Sequence, residues 1–586
     1  MSLIFTMDSK LDRITPFQRV LLLLDPYRRE IRYIFLYALV AGLISLSLPL
    51  GIQAIIGLIA GGSISASWGL LVLFVILGAL FSGALLIMQR AITEYLQRRI
   101  YTDAALDFAV RFPQLNLEEL RNEHLPEVVN RFFDVINVQK GIAKILIDGS
   151  AASLQIILGL LLLSVYHPTF VLFSLGLLLV LAILFYWTVP KGVETSLKES
   201  KEKYKLAYWL EEVGRTVATF KLAGTNRFAI EKVDSLVSSY LDARAKHWRI
   251  LLIQFISGLF FRVLVIGGYL ILGSLLVMNN EINLGQFVGS EILVIFIVDA
   301  VEKLVILHET AYDVITATEK LGQVTDLPLE RTDGLKDDQL FANGPFSLEA
   351  RNLCYQFAED DHPVLKNINF HFKPGDRVAI AGYGGSGKST LMQILSILKR
   401  DFTGTLLING LPKQSLHLRT LRKYIGDLSS QEDIFKGTIL QNIVVGRAIS
   451  LDRVLRTVEA IGLNDFLRSK PEGLNFMALP GGKNLPGNIK TKILVARAII
   501  GNAGLLVLEE PVANLNFRDR ERIAHYLTDP NQPWTMVCVT EDALLASLCN
   551  RVLILREGQI VFAGTFEQVR ETEHYNRVFR SNQDFD

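Results

Sequence analysis

Residues 382–389 read Gly-Tyr-Gly-Gly-Ser-Gly-Lys-Ser. Gly382, Gly384, Gly385 and Gly387, with Ser386 among them, let backbone N–H groups close around phosphate oxygens. Lys388 brings a positive charge for the β and γ phosphates of a nucleotide, and Ser389 a hydroxyl for Mg²⁺. Thr390 carries the loop into a helix, whose N-terminal dipole favours the same anion. The context is the one this chemistry needs. "DRVAIAG", 376–382, reads as a buried strand, and "TLMQILSIL", 390–398, has a helical pattern. A triphosphate, ATP or GTP, with Mg²⁺ is the expected ligand.

A second run bears on the same chemistry. "GLLVLEEP", residues 504–511, is an apolar strand ending in Glu509 and Glu510. Carboxylates at such a strand end would face the phosphate loop and organise Mg²⁺ and an attacking water.

The elements that must position these groups follow composition and charge. The chain has 586 residues, 50% hydrophobic and only 20% charged, which points to more than one domain and to a membrane part. A formal net charge of +1 gives no electrostatic footprint for nucleic acid, and none is expected as a partner. Cys354, Cys538 and Cys549 fit no metal-site spacing and, being odd in number, no disulfide framework. They read as reduced thiols of a cytosolic core.

Residues 33–89 contain no Lys, Arg, Asp or Glu. They suffice for two spans of about 20 residues, broken near "AGGSISAS", 60–67. A second uncharged stretch, 149–190, breaks at "YHPT", 166–169. A third apolar region, 250–302, breaks at "MNNEIN", 278–283. Six transmembrane helices in three hairpins are expected. Lys and Arg are absent from the three turns and crowd the opposite ends, so both termini should face the cytoplasm. The apolar run "VLLLLD", 20–25, is too short for a signal peptide. Phe17, Val20, Leu21 and Leu24, with Arg19, Arg28 and Arg29 nearby, predict instead an amphipathic helix on the inner membrane surface. The long segments between hairpins should extend into the cytosol and fold back through cross-helices, the candidates being 115–125 and 210–221.

Three ionisable residues interrupt the third apolar region. With residue 281 as the hairpin tip and a rise of about 1.5 Å per residue, Arg262 and Asp299 both lie roughly 27 Å below it and are placed to pair. Glu291 falls about 15 Å from the tip, near the midplane, where it either faces a cavity or is a hydrogen-bonded core carboxyl.

The whole chain resembles the ATP-binding cassette (ABC) exporters in their half-transporter arrangement: a membrane α-helical domain followed by an α/β P-loop NTPase domain of ABC type. The expected boundaries are an elbow helix in 1–30, the transmembrane domain in 31–325, a linker in 326–345 and the nucleotide-binding domain in 346–586, with no peptidase-like domain before the spans. The resemblance implies ATP and Mg²⁺, a lipid bilayer (a bacterial inner membrane), an unidentified transported substrate, and a second half-transporter as homodimer or heterodimer partner. It also implies residue roles. Phe357 takes the adenine-stacking position, with Tyr355 as the alternative. Gln431 is the Q-loop residue, catalytic and metal-binding, although an ungapped match puts Ser430 there. Glu509 stands where the family has its Mg²⁺-organising aspartate, and Glu510 matches the catalytic glutamate. Counting back from Ala496-Arg497-Ala498 puts the signature loop at Leu485, Pro486, Gly487, Asn488 and Ile489, where the family has LSGGQ. "LPGGK", 479–483, is nearer by letters but lies too far upstream. Asn514 to Asn516 fall on the D-loop. Glu541 stands at the switch-histidine position, and none of the nine histidines replaces it on that strand. Slow hydrolysis with ATP-driven closure is the expected outcome; the alternative is a nucleotide-gated membrane subunit with little or no turnover of its own.

Overall fold

A computed structural model describes residues 15–60, 66–118, 120, 125–336, 341, 344–357, 361–429 and 433–579. The chain forms two compact units. One holds the residues up to Asn116 and Leu120–Leu329; the other holds residues 117–119 and everything from Glu330 onward.

The first unit is helical. Its elements are α1 (Pro16–Leu24), α2 (Arg28–Ser45), α3 (Ser47–Ala60), α4 (Ala66–Arg111), α5 (Leu125–Asn130), α6 (Asp134–Lys144), α7 (Ser150–Tyr166), α8 (Pro168–Arg215), α9 (Val217–Leu222), α10 (Arg227–Met278) and α11 (Leu284–Thr325). Among the described residues, five stretches are long and apolar enough to cross a membrane: Pro16–Ile59, Ala66–Gln114, Pro126–Tyr166, Pro168–Arg215 and Arg227–Met278. α11 is the sixth long helix. It carries Glu291 and Asp299 and is the most internal, burying Leu293, Val294, Ile297, Val298 and Val301.

The turns fall where charge and turn residues place them. α8 starts at Pro168 after His167, whose ring accepts the Thr169 N–H; Pro at the first helical position loses no hydrogen bond. α11 starts behind Asn283, which forms a reciprocal capping box with Gln286. Arg262 does not pair with Asp299. Its guanidinium lies 3.2 Å from Glu302, which is one turn further along α11 than the equal-depth argument allowed, and Asp299 is exposed. Glu291 is half-buried.

α1 is the expected amphipathic helix, opened by a capping box between Thr15 and Gln18. Phe17, Leu21 and Leu22 are exposed, while Leu23 is buried. Arg19 faces inward, 3.0 Å from Glu319 and 2.6 Å from Asp326, so it does not join Arg28 and Arg29 on the surface. Within 115–125, residues 119 and 121–124 lie outside the described residues. Within 210–221, residues 210–215 continue α8, because the chain leaves helical geometry only at Thr216 (φ −107°, ψ 28°); the separate helix is α9.

Close approach of helices depends on small residues. A Cβ at Gly192 of α8 would stand 2.2 Å from Cζ of Tyr312 on α11, and the Tyr312 hydroxyl accepts a hydrogen bond of 2.6 Å from Gln254 on α10. One glycine thus admits a ring that ties three helices.

The second unit is an α/β domain. A four-stranded sheet runs β2-β1-β4-β5 from β1 (Leu348–Tyr355), β2 (Leu365–Phe372), β4 (Thr403–Ile408) and β5 (Leu411–Pro412), with antiparallel pairings. A six-stranded sheet runs β12-β11-β3-β10-β9-β6, built from β3 (Arg377–Gly382), β6 (Ile425–Leu428), β9 (Leu505–Glu509), β10 (Thr535–Val539), β11 (Arg551–Arg556) and β12 (Gln559–Gly564). β11, β3, β10, β9 and β6 are parallel; β12 is an antiparallel edge. β7 (Gly437–Thr438) and β8 (Met477–Ala478) form a small ribbon. β3, β9 and β10 are buried along their whole length, which is why they read as unbroken apolar runs. Cys538 and Cys549 are buried and Cys354 half-buried, all as free thiols.

Replacing Gly192 with Leu should displace the Tyr312 ring and break its bond to Gln254. A loss of about 1–3 kcal/mol is expected, read as a lower thermal midpoint of the detergent-solubilised protein against an unchanged Gly214→Leu control, since nothing lies within 4 Å of a Cβ there.

Candidate functional site

β3 runs directly into the glycine-rich loop and then into α12 (Lys388–Leu395). Gly382 has φ 154°, and a Cβ there would meet the Leu555 carbonyl oxygen at 2.2 Å. The loop can lie this close to β11 only without a side chain. Gly384, Gly385 and Ser389 are exposed, and Thr390 is buried. The buried Ser386 hydroxyl has no hydrogen-bond partner among the described residues. Lys388 Nζ donates to the carbonyls of Gly382 at 2.7 Å and Tyr383 at 3.0 Å. The ammonium thus folds over the loop that a phosphate would enter. Burial lowers its pKa, and the charges of Glu541, Glu510 and Glu509 oppose that shift.

The three carboxylates reach Lys388 through sheet register. Val539 of β10 stands opposite both Ile380 of β3 and Glu509 of β9. The C-terminal ends of three adjacent parallel strands therefore lie side by side, with β3 running two residues further to Gly382; such strand ends are the usual place for a ligand crevice. Glu509 is buried at the end of β9. Glu510 follows with φ 45°, a left-handed conformation that is costly for a non-glycine residue. Its N–H donates to the Val539 carbonyl at 2.9 Å, and its carboxylate accepts the Glu541 N–H at 3.0 Å. Glu510 and Glu541 are thus directly joined.

The adenine candidates differ in exposure. Tyr355 is buried at 6%, with Phe357 edge-on to it at 5.1 Å. Phe357 is half-buried and is the more accessible ring; Lys399 Nζ lies 4.7 Å from its centre. Gln431 and Ser430 lie outside the described residues.

Leu485, Pro486, Gly487 and Asn488 form a second cluster, at the start of α13 (Gly487–Ile499). Pro486 is the N-cap and makes no side-chain cap hydrogen bond. The Asn488 side chain accepts the Ile489 N–H at 3.0 Å, and Ile489 is buried. A Cβ at Gly487 would have Asn514 as its nearest neighbour, at 3.9 Å. The Thr491 hydroxyl donates to the Ala513 carbonyl at 3.2 Å. Lys492, also buried, pairs at 2.8 Å with Asp519 on α14 (Phe517–Thr528). The loop at 479–483 is instead a turn without a following helix, its Gly481 N–H bonded to the Ile434 carbonyl at 2.8 Å.

Sequence reasoning missed Asp427. It sits on β6 beside β9, opposite Val507, and accepts a hydrogen bond from the Ser396 hydroxyl. Burial, with Glu509 close by, lifts its carboxyl to about 6. Nothing in its own run, "IGDLSS", marks it; only the strand order puts it next to Glu509.

The residues fit a Mg²⁺–nucleotide. A lysine, an exposed serine hydroxyl and a buried carboxylate converge at a loop that is open at Gly384 and Gly385. Mg²⁺ bound with phosphates needs only one or two protein ligands, and no cluster of three or more His, Cys, Asp or Glu that would cage a metal occurs among the described residues.

Comparison with known proteins agrees with this geometry. The family described as ABC transporter matches residues 365–513, and the ABC transporter transmembrane region matches residues 31–301. Among curated proteins, the alpha-hemolysin translocation ATP-binding protein HlyB of Escherichia coli is 26% identical over 51% of this chain and 42% of its own length. The ATP-dependent lipid A-core flippase of Nitrosococcus oceani is 28% identical over 54% of this chain and 53% of its own. The lactococcin transport/processing protein LcnC-like of Lactococcus lactis is 24% identical over 81% of this chain and 66% of its own. The chain thus spans about half the length of the first two relatives. A solved bacterial Atm1-family ABC exporter with ATP bound superposes with a TM-score of 0.82 over 94% of this chain and 97% of its own, at 19% identity; this likeness concerns the fold.

Because the folded Asp427 carboxyl sits at about 6 and an unfolded one near 3.9, the folded state binds this proton more tightly. Its stabilisation is complete below about pH 4 and is lost as pH rises through 6. Asp427→Asn should therefore gain roughly 1–2 kcal/mol on the native chain between pH 5 and 7.5, seen as a flatter plot of thermal midpoint against pH.

Proposed function

Because the chain belongs to the ABC transporter family over both its helical and its P-loop unit, we propose that it is an ATP-driven exporter working as a dimer. One observation carries the reading: the same chain holds membrane-length apolar helices and a phosphate loop whose lysine lies among three carboxylates. In this reading the loop 382–390 takes the phosphates, Phe357 stacks on the base, and Ser389, Glu509 and Gln431 attend the metal. Mg²⁺ neutralises charge on the β and γ phosphates. Glu510 orients the attacking water or takes its proton. The loop Leu485–Asn488 closes on the nucleotide of a second copy or of a different half-transporter. Crowding of Lys and Arg away from the outer turns favours cytoplasmic termini and a cytoplasmic ATP site.

Turnover should be slow for two physical reasons. Glu541 puts an acceptor, already bonded through its N–H to Glu510, where a histidine would donate to the γ-phosphate; near a triphosphate its charge is repulsive. Pro486 removes both a hydroxyl and an N–H from the signature loop. The cargo stays open. The cargoes named in the relatives are alpha-hemolysin, lipid A-core and lactococcin, too unlike one another to choose for this chain.

The test is steady-state ATPase of the purified full chain in lipid. A low rate that Glu510→Gln reduces about 100-fold or more is the expected result. ATP binding without any rate above background would replace the transporter reading with a nucleotide-gated subunit. Glu541→His should raise the rate about 10-fold; an unchanged rate would show that Glu541 is not what slows the site.

A further inference from the structure

α1 and α2, joined by a short helical turn at Asp25–Tyr27, line a cleft of about 840 Å³. Its apolar lining comes from both helices and the segment behind: Leu21 and Leu24 on α1, Ile31 and Phe35 on α2, and Leu146. Leu146 is buried, whereas Leu21 and Phe35 are about half exposed, so the cleft has a closed floor and open apolar walls. Its polar lining is Asp25, Arg28 and Arg32. Arg28, Arg32 and Phe35 recur at helical spacing on α2, so one stripe of that helix carries two guanidiniums and then an aromatic ring. Arg32 is also the last charged residue before the uncharged run 33–89. It marks the level at which the helix passes from a polar to an apolar surrounding, and Phe35 lies about 4.5 Å further along the axis.

Two features give the cleft a preferred occupant. Asp25 pairs with Arg28, but a guanidinium has five N–H donors, and Arg32 makes no ion pair among the described residues. The rim therefore keeps a net positive charge with donors to spare. Beside that rim the lining is apolar: Leu21, Leu24, Ile31, Phe35 and Leu146. A water-soluble anion would leave the floor wet, and a zwitterionic lipid would bring its own cation to the two arginines. We propose that this cleft binds an anionic phospholipid, with the headgroup phosphate on Arg28 and Arg32 and an acyl chain along Phe35 and Leu146. The site holds the elbow helix against the lipid surface by one defined molecule rather than by diffuse charge. Assignment to the cytoplasmic leaflet rests on the orientation proposed above; the chemistry of the site does not.

The experiment uses the purified full chain, incubated in detergent with equal amounts of phosphatidylglycerol and phosphatidylcholine of the same acyl chains. Bound lipid is counted by native mass spectrometry. Phosphatidylglycerol should be retained preferentially, and Arg28→Gln with Arg32→Gln should lower the ratio of the two lipids about 10-fold. Arg29→Gln is the control: Arg29 stacks on Tyr33 at 5.8 Å and does not line the cleft. Equal retention of both lipids by the unaltered chain, an unchanged ratio in the double variant, or an equal fall with Arg29→Gln would each overturn the site. ATP binding, measured in each preparation, reports folding and is independent of the lipid ratio. If the double variant does not bind ATP, Arg32→Gln alone is scored. If the unaltered chain binds lipid as expected but no ATP, the transporter reading fails while the lipid site stands.

Discussion

The Lys388 ammonium is held in place by a constraint on backbone register. Burial works against its charge and lowers its pKa, and three carboxylates, Glu541, Glu510 and Glu509, partly oppose that shift. They reach it because β3, β10 and β9 are parallel neighbours with Ile380, Val539 and Glu509 in register near their C-terminal ends. A slip of one residue in β9 would turn Glu509 to the other face of the sheet, and the ammonium would lose one of its three carboxylates. The close passage of Gly382 against the Leu555 carbonyl pins the loop on its other side to β11. The chemistry of the site is therefore a consequence of how a buried sheet is aligned, and the sheet is aligned by apolar strands with no polar face to expose.

The same arrangement stores both capacity and restraint. Glu510 occupies a left-handed conformation and is tied by its carboxylate to the backbone of Glu541. That bond ties the Glu510 carboxylate, just past the end of β9, to the backbone that follows β10. The start of α13 shows a parallel compromise. Pro486 offers no cap and Ile489 turns into the core, while Thr491 and the buried Lys492 keep the helix bound to the Asn514 loop and to α14.

The helical unit follows a different economy of charge. Where a long run lacks ionisable groups, helices form because every backbone donor and acceptor must be satisfied within the segment. Polar side chains gather at the helix ends, as the Asn283–Gln286 box and the pairing of Arg19 with Glu319 and Asp326 show. Some interior polar groups meet across helices, as Gln254 and Tyr312 do, and a single small residue, Gly192, makes the room for that ring.

Local order was legible without coordinates: the phosphate loop between a strand and a helix, the uncharged runs, the turns at 166–169 and 278–283, and Glu509 and Glu510 at the end of an apolar strand. Each rests on interactions between residues close in the chain, or on an average property such as the absence of charge. What depended on distant residues was not legible. Arg262 met Glu302 rather than Asp299 because side chains have directions as well as depths. Asp427 gained its proton affinity from burial and, to a lesser extent, from Glu509 on the neighbouring strand, and Arg19 turned away from its basic neighbours. The sequence alone thus determined which elements form and which ligand chemistry they can offer. Tertiary structure decided which charges meet, because only packing brings strand ends and helix faces from separate parts of the chain to within ion-pair distance.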